Sequence, residues 1–508
     1  MTSRPRLLDL FWLAAALVAI GFALVRLDAA AIGVQRERLV IDGVIPAEFV
    51  RMEGAPAGPV VVIAHGFSGS SVLMRSLALT FAKNGLAALA FDFPGHGRHP
   101  EPLTGDLFHI EGASARLVAA TRAALAEARR LGDGRVALVG HSMAGDVVVR
   151  TAALEPDVAA VVAISLFSPA VTASAPRNLL VIAGQWEGRL AAEALRVAGL
   201  ASAPEPAAYG VTYGRFADGT ARRAVVAPMV EHVGVLFAST TLAEAQAWLD
   251  SAFGRPARGE PAVVERGPWV LLLVLACVFL ARSLLAFLPR LADGDPPTSR
   301  WRALFLPFAA ATFVPPILLR LLPPDLLPLA LLDHLAGHLA LFGLLLRGLG
   351  RVAEGPEPVR GRAPPARILL TSIAAALLAT VPVALAVDAE LTALPWTDPR
   401  VTLRLVLVAG ALGFFLGLER VARLPFGAPV ALLAFLLSVA GSILLDRRLL
   451  FLGALSIVIV PVLATALLVA RWTRRATNRP LPAATASAAF TAELLGGSLP
   501  LIDDSALP

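Results

Sequence analysis

The chain has 508 residues, carries a formal charge of +6 and is 57% hydrophobic, with a mean hydropathy of +0.72. Such a composition excludes an ordinary soluble protein, and the length leaves room for two or three domains. Lys83 is the only lysine; the arginines lie in short loops between apolar runs rather than on one basic face, which speaks for membrane orientation and against a nucleic-acid partner.

The N-terminal segment, 1–32, holds the apolar run 7–25 behind Arg4 and Arg6. It is long for a signal peptide, and Arg26 interrupts the approach to the small residues Ala29–Ala31, so we read it as an uncleaved transmembrane anchor. Residues 33–255 have a different texture. Strand-length apolar runs ("PVVVIAH", "LAALAFDF", "RVALVGHS", "VAAVVAISLF", "NLLVIAG", "RRAVVAP") alternate with amphipathic stretches such as 71–84 and 111–130. This alternation predicts a doubly wound, mostly parallel sheet covered by helices on both faces. An earlier pair, "RLVIDG" and "AEFVRM", predicts an antiparallel hairpin at its start. Residues 256–267 read as a linker, opening in the Pro- and Gly-containing stretch "GRPARGEP".

From 268 to 472 the pattern changes to seven long apolar runs, at about 268–288, 303–322, 326–346, 368–387, 401–418, 426–445 and 449–470. Each approaches the ~20 residues a helix needs to cross hydrocarbon, so an all-α transmembrane bundle of about eight helices is expected, the anchor included. Residues 473–508, rich in Ala, Ser and Pro, read as a disordered tail. With the N-terminus in the cytoplasm, the inside loops hold Arg290, Arg300 and Arg302; Arg347, Arg351, Arg360, Arg362 and Arg367; Arg420 and Arg423; and Arg471, Arg474, Arg475 and Arg479. The short outside loops hold only Arg320, Arg400, Arg447 and Arg448. This bias places both termini in the cytoplasm and residues 33–265 outside it. Arg26, Arg36, Arg38, Arg255, Arg258 and Arg266 flank the large domain and pull the other way, but long domains obey the rule poorly.

Single chemical signals in the chain are weak. Ser142 stands at a strand–helix junction in "VALVGHSMAGDVVVRTAAL", where an ordinary cap serine is the commoner finding. A serine hydroxyl is a weak nucleophile at neutral pH and needs a base, a group orienting that base and donors for the oxyanion. Gly140-His141-Ser142-Met143-Ala144-Gly145 supplies the small residues a sharp turn requires on either side of the serine. The single cysteine, Cys277, lies inside an apolar run and allows neither an intrachain disulfide nor a cysteine-based metal site.

At these residues the chain resembles the α/β-hydrolase family. Four segments carry the resemblance in order: "VVVIAHGFSGS" at 60–70, "AFDFPGHGRH" at 90–99, the serine turn, and the pair "LLVIAGQWEG" at 179–188 and "VVAPMVEHVGVLF" at 225–237. The family's order Ser…acid…His implies Ser142 as nucleophile, His232 as base and Glu187 as the acid, with the backbone N–H groups of Phe67 and Met143 as oxyanion hole and no cofactor. Two departures stand out: Ala144 replaces the glycine of G-x-S-x-G, and the acid is glutamate, with Asp157 and Asp218 as fallbacks. His65, His96 and His99 suggest a zinc cluster at first sight but fall in segments the family explains as loop architecture, so no metal is expected. The connection at 168–177 is too short for a lid, and the spare length lies at about 189–222. The expectation is an integral-membrane serine hydrolase acting on soluble or lipid esters, with acyl transfer as a variant. The membrane half supplies an alternative, a transport or channel-like protein with a silent hydrolase-like domain. Its motivation is "LALLDHLAGHLALF", in which Asp333, His334 and His338 read as an intramembrane polar site for a metal, a proton or a lipid headgroup, or else as helix-packing hydrogen bonds, with Arg404 as one partner. The sequence sets no oligomeric state.

Overall fold

A computed structural model of the chain describes residues 7–105, 110–203, 205–256, 259–293, 299–321, 331–355 and 363–503. Arg4, Arg6, Arg258, Arg360, Arg362 and the start of the apolar run at 326 lie outside the described residues. The chain divides into two compact units. One comprises residues 22–272 with 389–393; the other comprises 1–21, 273–388 and 394–508.

The first unit is built on a nine-stranded sheet. Its strands are β1 (Val34–Ile41), β2 (Ile45–Met52), β3 (Val60–Ala64), β4 (Ala87–Phe91), β5 (Val136–His141), β6 (Val161–Ile164), β7 (Leu179–Gly184), β8 (Thr212–Tyr213) and β9 (Arg222–Ala227), and they lie side by side in the order β1-β2-β4-β3-β5-β6-β7-β9-β8. The hairpin of β1 and β2 is antiparallel, as is β2 against β4, and the tiny β8 adds an antiparallel edge; β4, β3, β5, β6, β7 and β9 run parallel. The parallel strands are continuous apolar runs because both faces are covered. Val60, Val62 and Ala64 of β3 enter one core together with helices α3 (Ala115–Leu131), α4 (Met143–Leu154) and α5 (Gly188–Ser202). Val61 and Ile63, pointing the other way, enter a second core with α2 (Arg75–Lys83) and α6 (Ser239–Ala252). The two-residue period of a strand thus feeds two cores. The short connection between β6 and β7 leaves the edge above Ser142 without an inserted domain, and α5 and β8 occupy the spare length at 189–222.

Helix α1 (Leu7–Ala31) precedes the sheet. After it come α7 (Gly267–Leu285), α8 (Trp301–Leu321), α9 (Leu332–Glu354), α10 (Pro365–Glu390), α11 (Asp398–Gly417), α12 (Gly427–Leu445), α13 (Leu450–Thr477) and α14 (Pro480–Ser498). Among the described residues, eight helices, α1 and α7 to α13, are long and apolar enough to cross a membrane. In the second unit α9 and α11 meet through small residues: a Cβ on Gly343 would fall 2.2 Å from the carbonyl oxygen of Gly413, so only glycine permits this approach. Phe342, Phe414 and Phe435 pack edge-on or tilted around that contact, with centroids 5.1 to 5.7 Å apart.

Two expectations need correction in this unit. The tail is not disordered: α14 is a helix, and fifteen of its nineteen residues are buried. Its alanines favour helix, and Pro480 and Pro482 sit in the first turn, where proline costs nothing. The side chains that draw it in come from α11. Arg404 binds Glu493 through two hydrogen bonds of 2.8 and 3.0 Å, and Arg400 donates to the carbonyls of Gly496, Gly497 and Leu499 at the helix's carboxyl end. Arg400 is therefore a buried helix residue rather than part of a loop, and Arg404 is not the partner of His338. α14 runs back along α13, and its last turn lies beside the first turn of α11. Second, α9 starts at Leu332, so Asp333 and His334 stand in its first turn and not at mid-span. There the helix dipole favours the carboxylate.

Candidate active site

β5 ends at His141, and α4 begins at Met143. Ser142 alone makes the turn between them, with φ 55° and ψ −119°. A non-glycine residue at positive φ is strained and persists only where its surroundings enforce it. Here the Ser142 N–H donates to the carbonyl of Ile164 on the neighbouring strand, at 2.8 Å. The sharpness of the turn explains Gly140, since a Cβ there would lie 2.4 Å from the carbonyl oxygen of Ala144 and 2.7 Å from Val148. Ala144 is fully buried without disturbing the turn, and Gly145 packs beside Leu166. The departure at 144 is thus accommodated.

The turn holds Ser142 Oγ at the carboxyl edge of the sheet. Its hydroxyl donates to His232 Nε2 at 2.8 Å, and His232 Nδ1–H donates to Glu187 Oε1 at 2.5 Å. Three loops supply these residues, after β5, β7 and β9, which lie close together in the sheet. The longer glutamate is accommodated because Glu187 sits at the start of α5 and folds back over the end of β7. Its second oxygen accepts the Gly184 N–H and the Ser165 hydroxyl, both at 2.7 Å. Burial pushes the Glu187 carboxyl up, and the bonds from His232, Gly184 and Ser165 outweigh it, holding the group below the usual carboxylate range. The carboxylate stays ionised and fixes the tautomer that leaves Nε2 facing the hydroxyl. The imidazole is about one-third exposed, while Glu187 is buried.

The Gly66-Phe67 peptide runs alongside the serine: a Cβ on Gly66 would lie 3.0 Å from Ser142 Cβ. This loop is pinned from beneath by His65, whose Nδ1–H donates to the Gly66 carbonyl at 2.8 Å and whose Nε2 accepts the Phe93 N–H at 3.1 Å. Asp92 takes the N–H groups of Ser71 and Arg98 at 2.7 and 2.8 Å. Met143 opens α4, so its N–H is among the donors a helix leaves unused at its start. His96 Nδ1 lies 2.9 Å from the Pro94 carbonyl, and His99 Nδ1 accepts the Glu101 N–H at 3.1 Å; these ring nitrogens hold loop backbone. Among the described residues no group of three His, Cys, Asp or Glu side chains is placed to hold a metal ion. The fallback acids lie elsewhere. Asp157 pairs with Arg129 on the surface, and Asp218 pairs with Arg215 in the turn before β9.

Sequence reasoning missed two residues. Ser165 steadies Glu187, and its own positive φ of 55° is no sequence signal. His141 is the other. Its Nε2–H donates to the backbone carbonyl of His232 at 2.8 Å, and the two rings lie 4.9 Å apart. Burial first, then the neighbouring His232, push the His141 imidazole down to about 3, so it is neutral across the physiological range.

In the second unit the three residues read as a polar site stay close together, with the His334 and His338 rings 5.7 Å apart. Asp333 accepts the N–H of His334 at 2.5 Å. His338, fully buried, lies 2.9 Å from Ser438 Oγ and 3.4 Å from Ser442 Oγ on α12, a bond between packed helices.

A family model described as alpha/beta hydrolase fold matches residues 59–240, the stretch that holds all four segments of the site. Residues 59–240 form an α/β-hydrolase domain. Solved structures similar to it include a dienelactone hydrolase from Anabaena variabilis, 21% identical, covering 43% of this chain and 97% of that one with a TM-score of 0.31. A CIB-like hydrolase from Thermoplasma acidophilum is 18% identical, covering 42% and 97% with a TM-score of 0.31. A cold-adapted esterase from an Arctic intertidal metagenomic library is 20% identical, covering 30% and 73% with a TM-score of 0.25. Comparison with curated proteins found no match.

Proposed function

We propose that this chain is an integral-membrane serine hydrolase that cleaves carboxylic esters or related acyl bonds, with Ser142 as nucleophile, His232 as base and Glu187 as its orienting acid. The observation that carries the reading is one imidazole bonded to a serine through one nitrogen and to a buried carboxylate through the other. Ser142 Oγ attacks the acyl carbon as its proton passes to His232 Nε2. The carbonyl oxygen becomes an oxyanion held by the N–H groups of Phe67 and Met143, each worth roughly 100-fold or more in turnover. The tetrahedral species collapses, the ester C–O bond breaks, and His232 returns the proton to the leaving alcohol. Water repeats the sequence on the acyl-serine, giving the acid and free Ser142; an alcohol in place of water gives acyl transfer. Glu187 stays ionised and stabilises the imidazolium.

By the arginine bias the N-terminus is cytoplasmic and the hydrolase domain extracytoplasmic. We place the C-terminus on the extracytoplasmic face as well, a reading supported by the end of α14 at Ser498 beside the first turn of α11. The test is labelling with a fluorophosphonate: Ser142 is modified in the intact protein, and Ser142→Ala removes the label. A Ser142→Ala protein that labels as before refutes the nucleophile. The transport reading wins if Ser142→Ala leaves the cellular function intact while changes at Asp333, His334 and His338 destroy it.

A further inference from the structure

Three large apolar side chains stand in solvent at the edge of the sheet that carries Ser142. Phe167 follows β6 and is 69% exposed; Trp186 follows β7 and is 65% exposed; Met229 follows β9 and is 72% exposed. These three strands are parallel neighbours, so the residues leave the sheet side by side, on the edge where Ser142 follows β5. Two of the loops are tied to each other. The Met229 N–H donates to the side-chain oxygen of Gln185 at 2.9 Å, and the Trp186 N–H donates to the Val230 carbonyl at 3.1 Å. Trp186 and Met229 therefore ride on one braced platform, in which Met229 is held at φ 59°, an uncommon backbone for a residue with a side chain. Leaving such a group in water forfeits the stabilisation that burying it would give. A small soluble ester gives no reason to keep three of them around the nucleophile.

An apolar helix long enough to cross a membrane, α7, begins at the same edge of this unit. Gly267, the first residue of α7, lies against Phe237, so that a Cβ there would sit 2.8 Å from the Phe237 Cβ. Phe237 closes the short helical turn Gly234–Phe237 that comes after His232. Two residues on from Gly267, Trp269 has the Arg26 guanidinium over its ring at 4.5 Å and Phe22 edge-on at 5.6 Å. Tryptophan and arginine at the ends of apolar helices mark the boundary between hydrocarbon and water. The start of α7 is thus held beside the turn that follows His232, while α1 reaches the sheet at the other edge, where Val34 pairs with Met52.

Resting on the serine-hydrolase reading, we infer that the substrate is an ester of a long acyl chain presented from the bilayer surface, and that Phe167, Trp186 and Met229 are the apolar rim that receives the chain while its carbonyl reaches Ser142. The rim acts on substrate selection and leaves the chemistry at Ser142 untouched.

The experiment uses the full chain in phosphatidylcholine nanodiscs and two probes, p-nitrophenyl butyrate in solution and a p-nitrophenyl ester of a sixteen-carbon acid dissolved in the bilayer. The wild type prefers the long ester. In the triple variant Phe167→Ser, Trp186→Ser, Met229→Ser, fluorophosphonate labelling and kcat/KM for the butyrate stay within about twofold while turnover of the long ester falls about tenfold or more, the size expected from lost apolar contacts. An unchanged ratio of the two activities overturns the inference, as does a wild type that ignores the bilayer ester while hydrolysing butyrate. Should the triple variant misfold, Trp186→Ser alone, at an exposed position, shifts the same ratio or overturns the claim. A wild type that neither labels nor hydrolyses either ester overturns the serine-hydrolase reading itself, a result distinct from the others.

Discussion

In the proposed reaction His141 takes no part in breaking or making the acyl bond, yet its ring is placed to govern His232. The perturbation that separates positioning from chemistry is His141→Phe, which keeps a ring of similar volume and removes the Nε2–H that holds the His232 carbonyl. Leaving a buried carbonyl without its donor costs ~1–3 kcal/mol, a factor of roughly 5 to 150 if all of it appears at the transition state. The loop has other braces, since the Glu231 carboxylate accepts the N–H groups of Val233 and Gly234 at 2.7 and 2.8 Å. The lower part of the range is therefore expected, about 5- to 30-fold in the rate of fluorophosphonate labelling. His141→Gln, whose amide N–H can replace the ring donor, recovers part of the loss. Because His141 is pushed down to about 3, it stays neutral and does not titrate near neutral pH. The acid limb of the kcat/KM profile should then be the same in His141→Phe as in the wild type. Full-rate labelling by a folded His141→Phe protein refutes the positioning role. A displaced acid limb refutes it differently, by making His141 a participant in proton transfer.

Three further outcomes rest on the same geometry. Glu187→Gln keeps the fold but lets the His232 tautomer choose the wrong nitrogen, and esterase kcat/KM should fall ~1,000- to 10,000-fold; full activity would mean that the acid lies elsewhere. His65 and His141 are held neutral by burial, below the value they have in the unfolded chain. The unfolded state therefore binds more protons on the acid side of about 6.5, and the domain's melting temperature should fall steadily as pH drops from that value toward 3. Glu493→Ala removes the carboxylate from the buried Arg404 and should cost the helical unit about 3–5 kcal/mol, read as a lower melting temperature in detergent; an unchanged melting temperature would show that the pair contributes nothing net.

The site was legible to the extent that it is local. The turn at Ser142 needs small residues at fixed positions, and those positions lie within six residues of one another. Gly140 is the clearest of them, because a methyl there would meet the Ala144 carbonyl at 2.4 Å. Glu187 and His232 were legible only through the order in which such domains deploy their residues, because nothing within either segment marks its side chain as catalytic. What could not be read are contacts made across the fold to backbone. His141 reaches a carbonyl 91 residues away, and Ser165 meets Glu187 by virtue of strand order; a carbonyl leaves no trace in a sequence.

The misreading of α14 has the same root and carries a consequence for topology. Hydropathy reports what faces lipid, whereas α14 is enclosed by protein. Its small side chains, Ala483, Ala484, Ala486, Ala488, Ala492, Gly496 and Gly497, let it lie close against its neighbours, as small residues do between membrane helices. Its one carboxylate is matched by Arg404, and its terminal carbonyls by Arg400. At nineteen residues it is about 28 Å long, close to the ~30 Å of hydrocarbon, so its length matches a passage that its composition does not announce. The two arginines that loop counting assigned to an outer loop and to His338 are the groups that stabilise it. A reporter fused after Pro508 should therefore be accessible on the face opposite the N-terminus, and Arg400→Leu with Glu493→Leu should unseat the helix and expose its alanines to modification in a cysteine scan. A C-terminal reporter found on the same face as the N-terminus would refute the ninth passage.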